Sequence, residues 1–281
     1  MTYEAHNQNF KTEGNPQRLN TSDQNDFLEI ERAFHDNYAK NLNWDQELSE
    51  FLSYEETDVD FIEIEKHINK LLGNVGGKQI LDIGSGFGNA ALNMAKKGAL
   101  VTSIDISPKL IEGCKCRAKK NNLNVNFQIM DATNLKFEDN TFDIILGIRT
   151  IHHLQDIGGF LLNAKRCLKP GGFLLIVEPQ KYNPFVEFGR RYIKNREDDR
   201  TSTEHPLVPK DLRVMKNIFG NLEKQEYSFL SAACQVFKLM RWIKVYEFSS
   251  RTFSFIDRIL WYLPFLRPLY WQVVIKCVKM D

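Results

Sequence analysis

Residues 80–92 read ILDIGSGFGNAAL, and how this stretch is read decides the fold. A short apolar run carries one acidic residue, Asp82, and is followed by three glycines at every second position, Gly84, Gly86 and Gly88. An apolar run of this length is a buried strand. A glycine-rich turn between such a strand and a helix lets the backbone approach a ligand and presents free N–H groups at the helix N-terminus. The nicotinamide fingerprint needs the spacing G-x-G-x-x-G, whereas this loop has G-x-G-x-G. A phosphate loop needs Gly-Lys followed by Ser or Thr, and no lysine occurs between residues 79 and 95. Neither phosphate reading fits.

Working outward, strand and helix signals alternate. QILDIG is a strand and residues 89–97 a helix; ALVTSIDIS is a β-branched strand. Ser107-Pro108 is a helix N-cap with proline in the first turn, and the helix runs to about residue 120. VNFQIMD and FDIILGI are strands, Asp156 caps a helix to residue 168, KPGG is a turn and FLLIVEP a strand. Continuous apolar strands alternating with helices predict a doubly wound, mostly parallel sheet covered on both faces, with ligands at the strand C-termini. Upstream, Phe27, Ile30, Phe34 and Tyr38 give residues 23–42 a helical period, and residues 59–72 form a second amphipathic helix. Downstream of Pro179 the pattern loosens into a helix with proline-broken loops, and strands return at residues 224–230 and 271–279. The expected division is a poorly ordered tail over 1–22, a helical lid over 23–74, a cofactor-binding core over 75–180, and substrate-side insertions with the last two strands over 181–281.

The 281 residues are 43% hydrophobic and 26% charged with a formal net charge of +1, which argues against nucleic acid as the main partner. Five scattered cysteines without a histidine cluster beside them argue against a zinc site and for free thiols in a reducing, cytoplasmic setting. The N-terminal stretch has no secretory pattern, and no apolar run reaches the roughly 20 residues that span a bilayer. Charge is uneven, with 16 acidic and 6 basic residues over 1–72 against 3 and 7 over 241–281.

The motifs LDIGSGFG, SIDIS, IMDATNLKFEDNTFDIILGIRTIHHLQD and LKPGGFLLIVEP, in that order over residues 75–180, resemble those of class I S-adenosylmethionine-dependent methyltransferases, particularly the group acting on small molecules and lipids. The resemblance implies a Rossmann-like seven-stranded sheet and S-adenosylmethionine as cofactor. It implies that Gly84, Ser85, Gly86 and Gly88 pack their backbone against the methionyl and ribose portions. Asp82 would bind the ligand ammonium or orient the glycine loop, and Asp105 would take the ribose hydroxyls with Ile106 on the adenine face. Asp131 and Ala132 would read the adenine edge, and Gly147 and Ile148 would line the floor near the sulfonium.

Methyl transfer is an in-line displacement that needs positioning, exclusion of water and, for a protonated nucleophile, a base. His152 is the first choice for that base and His153 the second, with packing alone as the alternative. Arg149 could hold an anionic substrate group, Glu178 a substrate hydroxyl or ammonium, and Tyr38 could cover the cofactor. Ten of residues 241–281 are Trp, Tyr or Phe, which suits an ordinary pocket, an apolar pocket or membrane-surface contact for a lipid-like acceptor, or a dimer interface. The expected activity is methyl transfer to an O or N nucleophile of a small-molecule, lipid or glycan-type acceptor. An RNA (tRNA-type) methyltransferase and a non-catalytic cofactor-binding subunit are the alternatives.

Overall fold

The computed structural model describes residues 21–45, 59–192 and 204–280. The expected tail falls outside them except for its last two residues, as do parts of the lid and of the insertion after residue 180. Two helices, α1 (Thr21–Lys40) and α2 (Val59–Leu72), lead into strand β1 (Gln79–Ile83). Then follow α3 (Asn89–Lys96), β2 (Leu100–Asp105), α4 (Pro108–Lys120), β3 (Val125–Ile129), β4 (Phe142–Ile148), α5 (Ile157–Cys167) and β5 (Leu168–Pro179). Beyond these come α6 (Pro184–Tyr192), α7 (Pro209–Phe219), β6 (Glu223–Tyr227), the short α8 (Gln235–Leu239), α9 (Ile243–Leu260) and β7 (Gln272–Val278).

The seven strands form one sheet in the order β3-β2-β1-β4-β5-β7-β6. The first five are parallel, and β7 runs antiparallel to both β5 and β6. The expected doubly wound, mostly parallel seven-stranded fold is what is found. Alternation along each strand divides the interior. Ile80, Ile144, Leu146, Leu175 and Val177 pack under α2, α3 and α4. Their neighbours Leu81, Ile145, Leu174 and Ile176 pack under α5 and α7. Strand order reverses at β1, with β2 on one side and β4 on the other, so a crevice opens above the carboxyl ends of these three strands.

Two expectations need correction. KPGG is no turn: β5 runs through it, with Gly171 at φ +75° and a register shift between Phe142 and Ile144. Glycine absorbs this bulge while the Gly171 N–H and Gly172 carbonyl still pair with Lys279 of the segment following β7. The stretch around Pro206 and Pro209 is not all loop. Pro209 occupies the first turn of α7, where its missing N–H costs nothing, and Asp211 accepts the Val208 N–H at 2.9 Å. Likewise Pro264 and Pro268 fall beyond the end of α9 and leave that helix intact. Among the described residues, no helix is long and apolar enough to cross a membrane.

Candidate active site

A cavity of about 790 Å³ occupies the crevice above β1, β2 and β4. Its floor is the glycine turn. The Gly84 and Ser85 N–H groups bond the Ile104 carbonyl at 2.8 and 3.0 Å, which clamps the turn to β2. Gly84 sits at φ +76°, and a Cβ there would lie 2.3 Å from Thr150 Oγ1, so only glycine fits. At Gly86, by contrast, a Cβ would meet nothing within 4 Å and would enter the open cavity.

Asp105 ends β2 at the cavity wall. Its carboxylate accepts the Gly86 N–H at 3.1 Å and the Ser107 N–H at 2.9 Å. Burial raises its pKa, opposed by those two bonds and by the charges of His35 and His153. Ile106, Asp131, Ala132 and Ile148 also line the cavity. Asp131 accepts the Thr133 N–H at 2.8 Å and the Thr133 hydroxyl at 2.7 Å, a local turn that fixes the loop beside Ala132.

Four expected cofactor contacts lie behind this surface. Asp82 is buried and accepts the Ser103 hydroxyl at 2.6 Å, and Ser103 Oγ lies 2.7 Å from Ser85 Oγ. Burial pushes the Asp82 carboxyl up to about 7, with the nearby Asp105 adding to the rise. This chain of bonds props the glycine turn from below. Gly88 opens α3 at φ +85° against Cys114. Gly147 backs onto Ile151 and, like Asp82, Ser85 and Gly88, is not part of the cavity lining.

The loop after β4 carries the histidines. Arg149 takes φ +56°, an uncommon conformation for a side-chain-bearing residue, and the chain then turns into a helical turn over Ile151–His153. Glu178, at the end of β5 and fully buried, holds that turn. Its Oε1 accepts the Thr150 and Ile151 N–H groups at 2.7 and 2.6 Å, and its Oε2 lies 2.5 Å from His152 Nδ1. Glu178 therefore sits beneath His152 rather than at the cavity surface. With Nδ1 committed to the carboxylate, Nε2 is the imidazole nitrogen left for the cavity. His153 lies against His152, with ring centroids 4.2 Å apart and planes tilted by 39°, and is 5.1 Å from the His35 ring.

Helix α1 roofs the cavity. Phe27, Leu28, Glu31, Phe34, His35 and Tyr38 share its inner face; Phe27, Phe34 and Tyr38 belong to the stripe read from the sequence, whereas Ile30 of that stripe is exposed on the other side. Asp36 accepts the Ser107 hydroxyl at 2.5 Å and the Lys109 N–H at 3.3 Å, so α1 is tied to the start of α4 next to Asp105. Two acidic residues of the lining, Glu31 and Glu204, were not among the expected site residues. Glu31 lay unread on its helix, and Glu204 stands in a stretch without periodicity.

The sheet order and the crevice at the strand ends are those of the Rossmann-like methyltransferase fold, and the motifs identified in the sequence are the ones that build the crevice. Residues 81–176 match the family described as "Methyltransferase domain". The chain is 37% identical to a demethylmenaquinone methyltransferase of Tropheryma whipplei over 131 residues, 45% of this chain and 54% of that protein. It is 38% identical over 98 residues to a ubiquinone biosynthesis O-methyltransferase of Coxiella burnetii, covering 35% and 42%. It is 32% identical over 174 residues to phosphoethanolamine N-methyltransferase 1 of Triticum aestivum, covering 55% and 35%. The matches thus span about half or less of the length of these curated relatives. Among solved structures, phosphoethanolamine N-methyltransferase 2 of Haemonchus contortus in complex with S-adenosyl-L-methionine aligns with a TM-score of 0.56 at 18% identity, over 79% of this chain and 53% of that one. The 4+2 cyclase SpnF aligns at 0.53 and 14% identity, over 92% and 94%. A cyclase on the same fold means that the reaction has to be argued from the site.

Proposed function

We propose that this chain transfers the methyl group of S-adenosylmethionine to an oxygen nucleophile, a phenolic hydroxyl, of a largely apolar small molecule. The observation that carries the reading is one cavity lined by the glycine turn, Asp105, the Asp131–Ala132 loop and the carboxylate-backed His152. The residues fit the donor: Gly86 leaves room a side chain would fill, Asp105 offers a carboxylate for the ribose hydroxyls, and among the described residues no Lys lines the cavity, as a phosphate-free ligand allows. Bound there, S-adenosylmethionine supplies a methyl carbon activated by its sulfonium.

The protein's own residues orient and deprotonate. Glu178 accepts from His152 Nδ1, which leaves Nε2 unprotonated to take the acceptor's hydroxyl proton. Phe27, Leu28, Phe34, Met130 and Trp271 give the acceptor an apolar enclosure that excludes water. Among the described residues, Arg149 is the one Lys or Arg that lines the cavity. That balance favours an acceptor of the quinone-pathway kind, methylated on oxygen as the name of the ubiquinone biosynthesis O-methyltransferase states for that relative, over a phosphoethanolamine. Calorimetric titration with S-adenosylmethionine and S-adenosylhomocysteine is the first test, and Asp105→Ala should weaken both about 10-fold or more, the loss of hydrogen bonds to a charged group. Binding of NAD with neither sulfur ligand would sink the reading. Methylation of a hydroquinone in a product assay then tests the acceptor class.

A membrane-surface approach for the acceptor is part of the same proposal. Phe248, Phe255 and Ile259 share the outer face of α9, Tyr262 and Phe265 continue it, and Phe248 is 78% exposed. Lys244 and Arg251 run alongside at the same seven-residue spacing. Aromatic groups beside cations suit an anionic lipid surface. Co-sedimentation with phosphatidylglycerol vesicles should be lost in Phe248→Ser/Phe255→Ser; equal retention of the variant removes this element of the proposal. The five cysteines, all free thiols, suit the cytoplasmic setting assigned with it.

A further inference from the structure

Glu31 and His35 stand one turn apart on the inner face of α1, and His153 meets them from the loop after β4. Glu31 Oε2 lies 3.4 Å from His35 Nε2 and 3.2 Å from His153 Nδ1. The three donor atoms all lie within 4.8 Å of one another. Glu31 is buried to 1% exposure, and both histidines are largely covered.

An ion-paired histidine cluster is the ordinary account of such a group, but two observations exceed it. First, His153 Nδ1 is buried and makes no hydrogen bond, although the Glu31 carboxylate is 3.2 Å away. The contact has the distance of a hydrogen bond but not its geometry. Second, a tetrahedral ion with bonds of about 2.1 Å holds neighbouring donors about 3.4 Å apart, which is the spacing of Glu31 Oε2 from each of the two histidine nitrogens. A neighbouring group, His152, His153 and Glu204, also lies within 4.8 Å. It is the weaker candidate, because His152 is engaged by Glu178 and Glu204 stands 3.9 Å from His153 Nε2.

We infer that Glu31, His35 and His153 form a binding site for one divalent first-row transition ion of the zinc type, with its remaining coordination positions open to the cavity. Two imidazoles and one carboxylate are a borderline donor set that suits zinc, cobalt or iron(II), whereas magnesium and calcium take oxygen ligands. The ion site follows from the donor atoms alone; its use rests on the function proposed above. There, an acceptor oxygen bound to the ion would lose its proton more readily, the proton passing to His152 Nε2.

The test uses the whole chain without a polyhistidine tag, stripped with a chelator and titrated with Co²⁺. One equivalent should bind with a visible d–d band, and Zn²⁺ should displace it. His35→Gln and His153→Gln, on separate elements, should each weaken binding about 100-fold or more. Both are checked by circular dichroism. Glu31→Asp, which keeps the charge but withdraws the oxygen, replaces either one if it loses its fold. Absence of Co²⁺ binding by the wild-type chain, or binding with unchanged affinity and spectrum in the variants, overturns the inference. Calorimetry with S-adenosylmethionine on the same stripped protein separates the two claims. Donor binding without a cobalt site removes the ion alone, and a cobalt site without donor binding removes the methyltransferase reading and leaves the ion standing.

Discussion

Glu178 shows how one buried side chain can set the chemistry of a whole loop. It receives two backbone N–H groups and faces one imidazole nitrogen, so its charge is compensated without touching the cavity. Glu178→Gln keeps the shape but places an amide donor opposite His152, favouring the tautomer that cannot take a proton. Turnover at saturating donor should fall roughly 100-fold, close to the loss in His152→Ala, while donor affinity stays within a few-fold. Wild-type turnover in both variants would mean catalysis by proximity alone. Asp82 makes a different prediction. Its carboxyl has risen from 3.8 to about 7, so the folded chain holds a proton that the unfolded chain releases. The associated stability is fully present below about pH 4 and is lost as pH rises through about 7. Urea unfolding should show the wild type gaining more stability between about pH 8 and about pH 5 than Asp82→Asn does. A residual slope in the variant is expected because the Asp105 pKa is raised too. At this scale the sequence was readable for the place of Asp105, which ends a strand, and for that of Asp131, which the resemblance marked; both line the cavity. It was silent on Glu31 and Glu204, because His153, which gives both of them meaning, stands more than a hundred residues from the one and about fifty from the other.

Elements were legible in proportion to their periodicity. The apolar strands and the Ser107-Pro108 cap announced themselves. By contrast, α7 and α9 carry prolines in or just beyond the helix, and these read as breaks until their exact positions are known. KPGG was misread for the opposite reason: glycine marks bulges as well as turns. The roof illustrates close packing between elements. Trp44, following α1, donates its indole N–H to the Ala39 carbonyl at 3.1 Å and lies over α4, where a Cβ on Gly113 would come within 2.4 Å of its ring. Gly113→Ala should push the indole off α4 and destabilise the chain by about 1–3 kcal/mol, measured as a shift in the denaturation midpoint with Trp44 fluorescence moving toward that of exposed indole. An unchanged midpoint would show that Trp44 yields freely.

For the molecule as a whole, the cavity lies between a rigid floor of strand ends and a roof, α1, that is held to α4 by a few polar contacts. A ligand gripping both should bind the folded chain alone and stabilise it by mass action, by about 2.7 kcal/mol at a hundredfold excess over its dissociation constant. Thermal unfolding with S-adenosylhomocysteine should show that rise, with slower amide exchange in α1; a rise without added protection of α1 would detach the roof from the binding event. The doubly wound sheet was legible because its strands alternate with helices; the place of β7 was not, because adjacency in a sheet leaves no periodic mark. That place has its own consequence. Strand β7 is synthesised after β5 and β6 yet lies between them. A ribosome-bound chain therefore carries an open seam, with β5 exposing an edge and β6 lacking its neighbour, until residues 272–278 emerge. Two nascent chains side by side could fill that seam with each other's strand, so the moment of greatest risk in this protein's life comes just before its sheet is closed.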